Sequence, residues 1–450
     1  MLIQQGAVPY RDAFDHKPPV IYFAAASFHS LGPWGLWTAQ ALASAIASFL
    51  LFFAAKKLCW RWPLFYAFAF PMLLRHPLFI QGGGLTRELS ASLTMSVFCI
   101  GVLRPKYYGI LQGFLIATIV LTQQNELLGA VPLLVWSFIE AEEKRKLFLQ
   151  WTVGCIALFA SFALFFALHS SLRDFAEGAL LFNLRYYLKQ PTPFLERYRS
   201  ALQVLWDNRY LSIVIVSVVS KIVASTIAPA ARRSGGLFFW VLIAFFMESI
   251  SISISDRQYP HYFLGIVPHI LLLAGLFIKN IDDFYSKPIP VLPFLTQLCA
   301  IGLVVTLLPA IRKTPSFEKL FGPHNIHKYE EAFKPIKPFL QSVENKRGQF
   351  LAFRSVEALS LNTDFNIIAP TRWPISEVWD HFPKWDLDGT KFQNMIGDID
   401  RWQTQYILDY SVHKPMDNKA LQSVWDNYVN KNYFLVLKEA NWRLYERKRQ

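Results

Sequence analysis

The chain has 450 residues, of which 53% are hydrophobic, 16% aromatic and only 17% charged, whereas a soluble protein carries roughly a quarter charged residues. The deficit lies in uncharged runs such as 147–168 and 288–311, each longer than the ~18 apolar residues that mark a membrane-spanning helix, so a soluble enzyme, a disordered chain and a disulfide-stapled secreted domain are excluded. The net charge of +13 is divided among short clusters between apolar runs, which suits membrane topology and not a nucleic-acid-binding patch.

In chain order, residues 1–17 come first, polar and without the apolar core of a cleavable signal peptide. Ten apolar runs then predict spans at 36–55, 62–80, 87–103, 107–123, 126–141, 147–168, 210–228, 236–255, 261–279 and 290–310. The run at 126–141 is short for a bilayer roughly 30 Å thick. Basic clusters at Lys56/Lys57/Arg61, Arg104/Lys106, Lys144/Arg145/Lys146, Arg232/Arg233 and Lys279/Lys287 follow every second span. The positive-inside rule makes these loops cytoplasmic. Residues 1–35, 81–88, 169–209, 255–261 and the tail after 310 then face outward, and surface-lying helices are expected in the long 169–209 connection.

From 311 to 450 charges become frequent. The runs QFLAFRS, FNIIAP, TQYILDY, YFLVLK and WRLYER read as short strands, and 417–431 reads as a helix. Alternation of this kind predicts a small extracytoplasmic α/β domain. The expected architecture is therefore a polytopic α-helical membrane domain over 1–310 with an α/β domain over 311–450. Cys59, Cys99, Cys155 and Cys299 lie in or beside apolar runs without metal-ligand spacing and read as small hydrophobes.

Three outer clusters could carry chemistry. The run GAVPYRDAFDHKPPVIYF sets Asp12 and Asp15 among Arg11, His16 and Lys17. Carboxylates beside an imidazole can shuttle a proton or bind a divalent metal, and the cations can neutralise phosphate. The bland reading is a charged loop before an amphipathic helix. The run FIQGGGLTRELSA places Arg87 and Glu88 at the outer membrane surface, after Gly82, Gly83 and Gly84 and a Thr86 positioned to cap a helix; taken alone, an ordinary glycine turn with a cap is the favoured explanation. The run SDRQYPHYFLGIVPH gathers Arg257, Tyr259, His261 and Tyr262, with Glu248 two turns into the preceding span. Aromatic belts account for the tyrosines but not for Glu248, whose partner is expected to be Arg257 or a lysine. Glu126, beside Gln123, Gln124 and Asn125, reads as a solvated loop residue, and Lys221 as a snorkelling one. No P-loop, dinucleotide glycine pattern or GxSxG accompanies these clusters.

The first run resembles the outer loop of the GT-C membrane glycosyltransferases, the group that includes protein O-mannosyltransferases and aminoarabinose transferases. GGGLTRE is similar to their second outer loop, DRQYPHYFLGIVPH to a late element, and the tail ending in WRLYER to their small C-terminal domain. The resemblance implies an enzyme of the inner (plasma) membrane that transfers a sugar, with inversion, from a polyprenyl-phosphate donor to an extracytoplasmic lipid, glycan or protein. It implies Asp12 and Asp15 as candidate catalytic acids. Arg11, His16, Lys17, Arg87, Glu88, Arg257, His261 and Tyr262 become candidates for the donor phosphate and substrate, and Asp15, His16 and Glu88 for a divalent metal. The resemblance also implies an Asp-Glu pair behind a first span, upstream of Pro9. No such pair stands between Met1 and Pro9, so the expectation is either a preceding segment or a truncated relative with impaired transfer. Two other classes share these features: a transporter or flippase of lipid-linked saccharide, which would show internal repeats and interrupted helices, and a non-catalytic membrane scaffold.

Overall fold

The computed structural model describes residues 6–31, 34–75, 86–187, 192–207, 210–227, 235–254, 259–285, 333–344, 347–354, 367–373, 388–411 and 415–448, with positions 3, 361–362, 365, 379 and 386. The expected span at 290–310, Gly82 to Gly84, Cys299, Arg232, Arg233 and Arg257 lie outside the described residues. The chain forms two compact units. One comprises residues 18–164 and 190–324; the other gathers 1–17, 165–189 and 325–450.

The first unit is helical. Its described helices are α1 (Val20–Ser27), α2 (Trp34–Lys57), α3 (Pro63–Leu74), α4 (Thr86–Leu103), α5 (Tyr108–Val120), α6 (Leu127–Ile139), α7 (Lys144–Leu168, which runs on into the second unit), α8 (Phe194–Asp207), α9 (Tyr210–Ile227), α10 (Gly235–Ser253) and α11 (Val267–Tyr285). Among the described residues four helical stretches are long and apolar enough to cross a membrane: Trp34–Lys57, Lys144–Leu168, Gly236–Ser253 and Pro260–Lys279. Uniform apolarity makes them helices in lipid, where every backbone group must be satisfied within the segment. They differ in burial. Only 11% of the Lys144–Leu168 window is covered by protein, against 89% of the Pro260–Lys279 window, so the latter is a core helix. Helix α8 differs in pattern: Arg197, Ala201 and Leu205, four residues apart, are buried while Leu195 and Trp206 are exposed. It meets the Tyr210–Ile222 part of α9 at 82°, as a surface-lying helix leading into a span would.

The helix ends of this unit are sorted chemically. At one end Lys57 Nζ donates to the Leu103 carbonyl at 3.0 Å and Arg104 donates to the Glu140 carbonyl at 2.9 Å. Cations thus cap the free carbonyls where α4 and α6 finish. At the other end Thr86 Oγ1 donates to Gln123 Oε1 at 2.8 Å, and Asn125 donates to the Ser251 carbonyl at 3.1 Å. Thr86 is therefore the first helical residue and bonds across to the end of α5 instead of capping its own helix. Cys99 is buried as expected, but Cys59 is exposed, because the chain turns there after α2 with φ +55°.

In the second unit β1 (Phe350–Phe353), β2 (Tyr406–Asp409), β3 (Tyr433–Lys438) and β4 (Arg443–Arg447) form a sheet ordered β1-β2-β4-β3. The β1–β2 pair is parallel and spans α12 (Thr390–Arg401); the others are antiparallel. Strand alternation divides the core. Leu351, Phe353, Ile407 and Tyr445 pack with Phe392, Met395 and Ile399 of α12 and with Leu421, Trp425 and Val429 of α13 (Lys419–Asn432). Phe350, Ala352, Tyr406, Leu408 and Leu444 pack on the other face with Phe333, Ile336, Leu340 and Trp442. Asn418 caps α13 through Ala420 and Leu421 N–H. The expected FNIIAP strand reduces to one bridge, Ile368 to Arg347; Pro370 lacks the N–H a longer ladder would need. Phe14 and Phe182 belong to the first of these two cores, so the amino-terminal loop and the 165–189 stretch are integral to the unit.

Candidate functional site

The expected site residues fall into two groups, one in each unit. Arg11, Asp12, Asp15, His16 and Lys17 lie in the second unit, on a loop closed by its own backbone: Tyr10 N–H donates to the Ala13 carbonyl at 2.8 Å and Asp12 N–H to the Val8 carbonyl at 2.9 Å. Val8, Tyr10 and Phe14 point inward and are buried. Phe14 stacks near Phe182 and Trp373, with ring centroids 5.5 and 5.1 Å away. The polar residues between these anchors are left facing out.

The two aspartates have different surroundings. Asp12 accepts from Val8 N–H at 2.7 Å and from Arg11 Nε and Nη2 at 3.0 and 2.8 Å. Burial pushes its carboxyl up, but the hydrogen bonds from Arg11 and Val8 outweigh burial and hold it below the usual carboxylate range. Arg11 also donates to the His169 carbonyl at 2.9 Å, so the Arg11–Asp12 pair acts as a staple. Asp15 accepts from His16 N–H at 2.7 Å, and its oxygens stand 3.2 Å from both His16 Nδ1 and Lys17 Nζ. The Lys17 side chain is 44% exposed and that of His16 31%. An imidazole and an ammonium are thus presented at an accessible edge, beside a carboxylate that is itself only 14% exposed.

Of the three candidate metal ligands, Asp15 and His16 stand at this edge and Glu88 belongs to the other unit. Asp15 and His16 offer two donors, the Lys17 ammonium already occupies the same carboxylate, and among the described residues no group of three His, Cys, Asp or Glu could hold an ion.

In the first unit Arg87, Glu88, His261 and Tyr262 are brought near residues the sequence did not connect. Arg87 and Glu88 are buried, 1% and 0% exposed, and not at the surface as expected. Arg87 pairs with Glu126, and its Nη1 lies 3.3 Å from both Glu248 Oε1 and the Tyr262 carbonyl. Its guanidinium also sits 4.8 Å from the Tyr262 ring centre. Glu88 pairs with Arg75 at 2.7 Å, and Arg75 lies over Trp37. Glu126, expected to be solvated, is 1% exposed; it pairs with Arg87 beside Glu248, in a region where unpaired charge is prohibitive. Lys221 is likewise buried. Gly129 and Gly265 make room for the carboxylates, since a Cβ on either would overlap a glutamate oxygen. His261 stands at the edge of this network, stacked 5.5 Å from Tyr259 and edge-on to Tyr262 at 4.7 Å.

Sequence reasoning missed the partners. Glu126 is 39 residues from Arg87 and Glu248 is 161 away, and no local pattern joins them. In the second unit the supporting residues Asp174, Gly178, Asn183 and Arg372 also escaped notice. Arg372 pairs with Asp174 at 3.0 Å, and its carbonyl accepts from Phe14 N–H.

No family model and no curated protein matches the chain. Solved structures do. ArnT from Cupriavidus metallidurans bound to undecaprenyl phosphate is similar over 99% of this chain and 91% of that one, with 13% identity and a TM-score of 0.57. ArnT from the same organism in the apo state matches over 96% and 88%, with 12% identity and a TM-score of 0.52. At these identities the likeness is one of fold: the chain has a GT-C-like fold, with apolar helices and a small carboxy-terminal sheet.

Proposed function

We propose that this chain is a multi-pass enzyme of the plasma membrane that transfers a sugar from a polyprenyl-phosphate donor to an acceptor outside the cytoplasm. The observation that supports the reading is the end-to-end likeness to ArnT bound to undecaprenyl phosphate, which adds to the resemblance carried by the loop at Pro9–Lys17. Fold alone never fixes chemistry, so the roles rest on the loop residues.

Asp12 is committed to Arg11 and Val8 and is held ionised, which makes it a weak base and a structural one. Asp15 is the better general base: it takes the proton of the acceptor hydroxyl as that oxygen attacks the anomeric carbon from the face opposite the phosphate. The bond between the anomeric carbon and the phosphate oxygen breaks, and the electron pair leaves on the lipid phosphate. Lys17, the most exposed cation beside Asp15, meets the charge that develops there. His16 lies within reach of the same carboxylate and orients it.

The test is transfer itself. The chain is reconstituted in liposomes with a panel of radiolabelled polyprenyl-phosphoryl sugars together with hydroxyl-bearing lipid and glycan acceptors, and release of polyprenyl phosphate with transfer of label to the acceptor is followed. Turnover with at least one donor is expected, and Asp15→Asn should lower it by about 10²–10⁴-fold. Absence of both turnover and polyprenyl-phosphate binding across the panel would sink the proposal.

A further inference from the structure

The segment that carries Asp15, His16 and Lys17 is shaped by residues outside it. Tyr10 is fully buried with φ +66°, a left-handed conformation that a bulky residue adopts only when its surroundings enforce it. Its ring is enclosed by Phe166 and Phe175, with centroids 5.6 and 5.8 Å away, and those two rings stack at 4.5 Å. From there Tyr10 Oη donates to the Lys17 carbonyl at 2.7 Å. The neighbouring carbonyl, that of His16, accepts from Asn183 Nδ2 at 2.8 Å, while Asn183 also donates to the Ala179 carbonyl at 3.1 Å. Gly178 lies one turn earlier. A Cβ there would stand 2.6 Å from Tyr10 Cδ1 and 3.2 Å from the Asp15 carbonyl oxygen, so only glycine lets the two segments approach this closely. Gly178 and Asn183 belong to two successive π-helical stretches, Ala176–Leu181 and Asn183–Tyr187. This winding is rare beyond a single turn and recurs at functional sites.

We infer that Tyr10, Gly178 and Asn183 form a cradle that fixes the backbone of residues 15–17, and so act as positioning residues for the Asp15–Lys17 edge. The inference deepens the transferase reading and rests on it for its kinetic consequence, but its structural content stands apart. The carbonyls of His16 and Lys17 are each held by a side chain from outside residues 15–17. Asp15, His16 and Lys17 are therefore aimed by their backbone and not by contacts among themselves alone. A displacement of about 1 Å at such a group lowers turnover about 10²-fold.

Two near-isosteric changes isolate the hydrogen bonds. Tyr10→Phe keeps the ring and removes the donor to Lys17; Asn183→Asp keeps the shape and removes the donor to His16. Gly178→Ala adds the Cβ that the cradle excludes, and Leu184→Ala, on an exposed position of the same stretch, is the control. Hydrogen exchange of the peptide covering residues 10–17 is measured on the full chain in lipid nanodiscs, alongside kcat and KM for the polyprenyl-phosphoryl sugar. The expected result is exchange about 10-fold faster in the three cradle variants, with kcat about 10- to 100-fold lower, KM changed less than about 3-fold, the melting midpoint held in Tyr10→Phe and Asn183→Asp but lowered in Gly178→Ala, and Leu184→Ala unaffected. Exchange at wild-type rates in all three variants would overturn the cradle, whether or not the chain transfers sugar. Turnover that falls only in step with the folded fraction would overturn the positioning role. A wild-type chain that neither binds nor turns over any donor, with exchange altered as expected, would refute the transferase reading and leave the cradle standing.

Discussion

Single residues in this protein show how far a charge can be from the role its motif suggests. Arg87 sits in a stretch that resembles an outer loop, yet its guanidinium is spent on Glu126, Glu248 and Tyr262 in a buried network. Removing one partner of such a network strands the others in a medium that cannot solvate them, a loss of about 3–5 kcal/mol. Arg87→Met should therefore lower the melting midpoint sharply in detergent, with any change in donor KM secondary; a stable variant with raised KM alone would return Arg87 to the donor site. The sequence showed that Glu248 was anomalous because a carboxylate within an apolar run is visible in one dimension. It could not show Glu126 as its neighbour, because the loop composition QQNE looks solvated until the fold closes over it. Asp12 offers a different check. Its folded-state carboxyl is held below the ordinary range, so the stability it contributes is fully present above about pH 4, the unfolded carboxylate value. That contribution is lost as pH falls through the depressed folded value. Opening of the 8–14 loop, read by hydrogen exchange, should rise on acidification below about pH 4, and Asp12→Asn should open the loop at all pH values.

At the level of elements, composition carried the helices and alternation carried the sheet, but close approach was invisible. The YFLVLK and WRLYER runs form the β3–β4 hairpin as their patterning suggests, while Gly129 and Gly265, unremarkable in apolar runs, turn out to define where two carboxylates fit. A methyl group added at Gly129 would lie 2.5 Å from Glu248 Oε2 and 2.9 Å from His269 Cε1. His269 is itself fixed between the Gly129 and Gly265 carbonyls, at 3.1 Å from each, so neither neighbour yields easily. Overpacking of this kind costs about 1–3 kcal/mol, and Gly129→Ala should lower thermal stability accordingly, whereas Gly397→Ala, with nothing within 4 Å of its Cβ, should not. The α/β domain has an equivalent dependence. Asp409 ends β2 in the core and accepts from Ser411 N–H at 2.7 Å and from Trp425 Nε1 at 3.0 Å. Trp425→Phe keeps an aromatic ring against Phe353 but leaves that carboxylate half-paired, a loss of about 1–3 kcal/mol. Chemical denaturation followed by near-ultraviolet dichroism would register it, and an unchanged midpoint would show that the indole N–H contributes nothing.

On the scale of the whole molecule, the composition of the second unit constrains the topology. Residues 1–17, 165–189 and 325–450 pack into one body: Phe14 stacks with Trp373 and Phe182, and Arg372 pairs with Asp174. The topology expected from the sequence, with all three stretches outside, requires an even number of crossings between 17 and 165 and again between 189 and 325. The apolar segments read from the sequence satisfy this, six in the first interval and four in the second. Within the helical unit, Lys57 and Arg104 reach the carbonyls that end α4 and α6, so the basic loops after α2, α4 and α6 share one end. Lysine and arginine are retained in the cytoplasm when spans insert, so the topology expected from the sequence has that end inward and residues 311–450 outward. In a cysteine-free background, Glu439→Cys in the exposed β3–β4 turn should react with a membrane-impermeant maleimide in intact cells. Lys144→Cys, exposed at the start of α7, should react only after permeabilisation. Labelling of both from outside would break the parity argument, and the reverse pattern would place the Asp15–Lys17 edge in the cytoplasm, where an extracytoplasmic acceptor could not reach it.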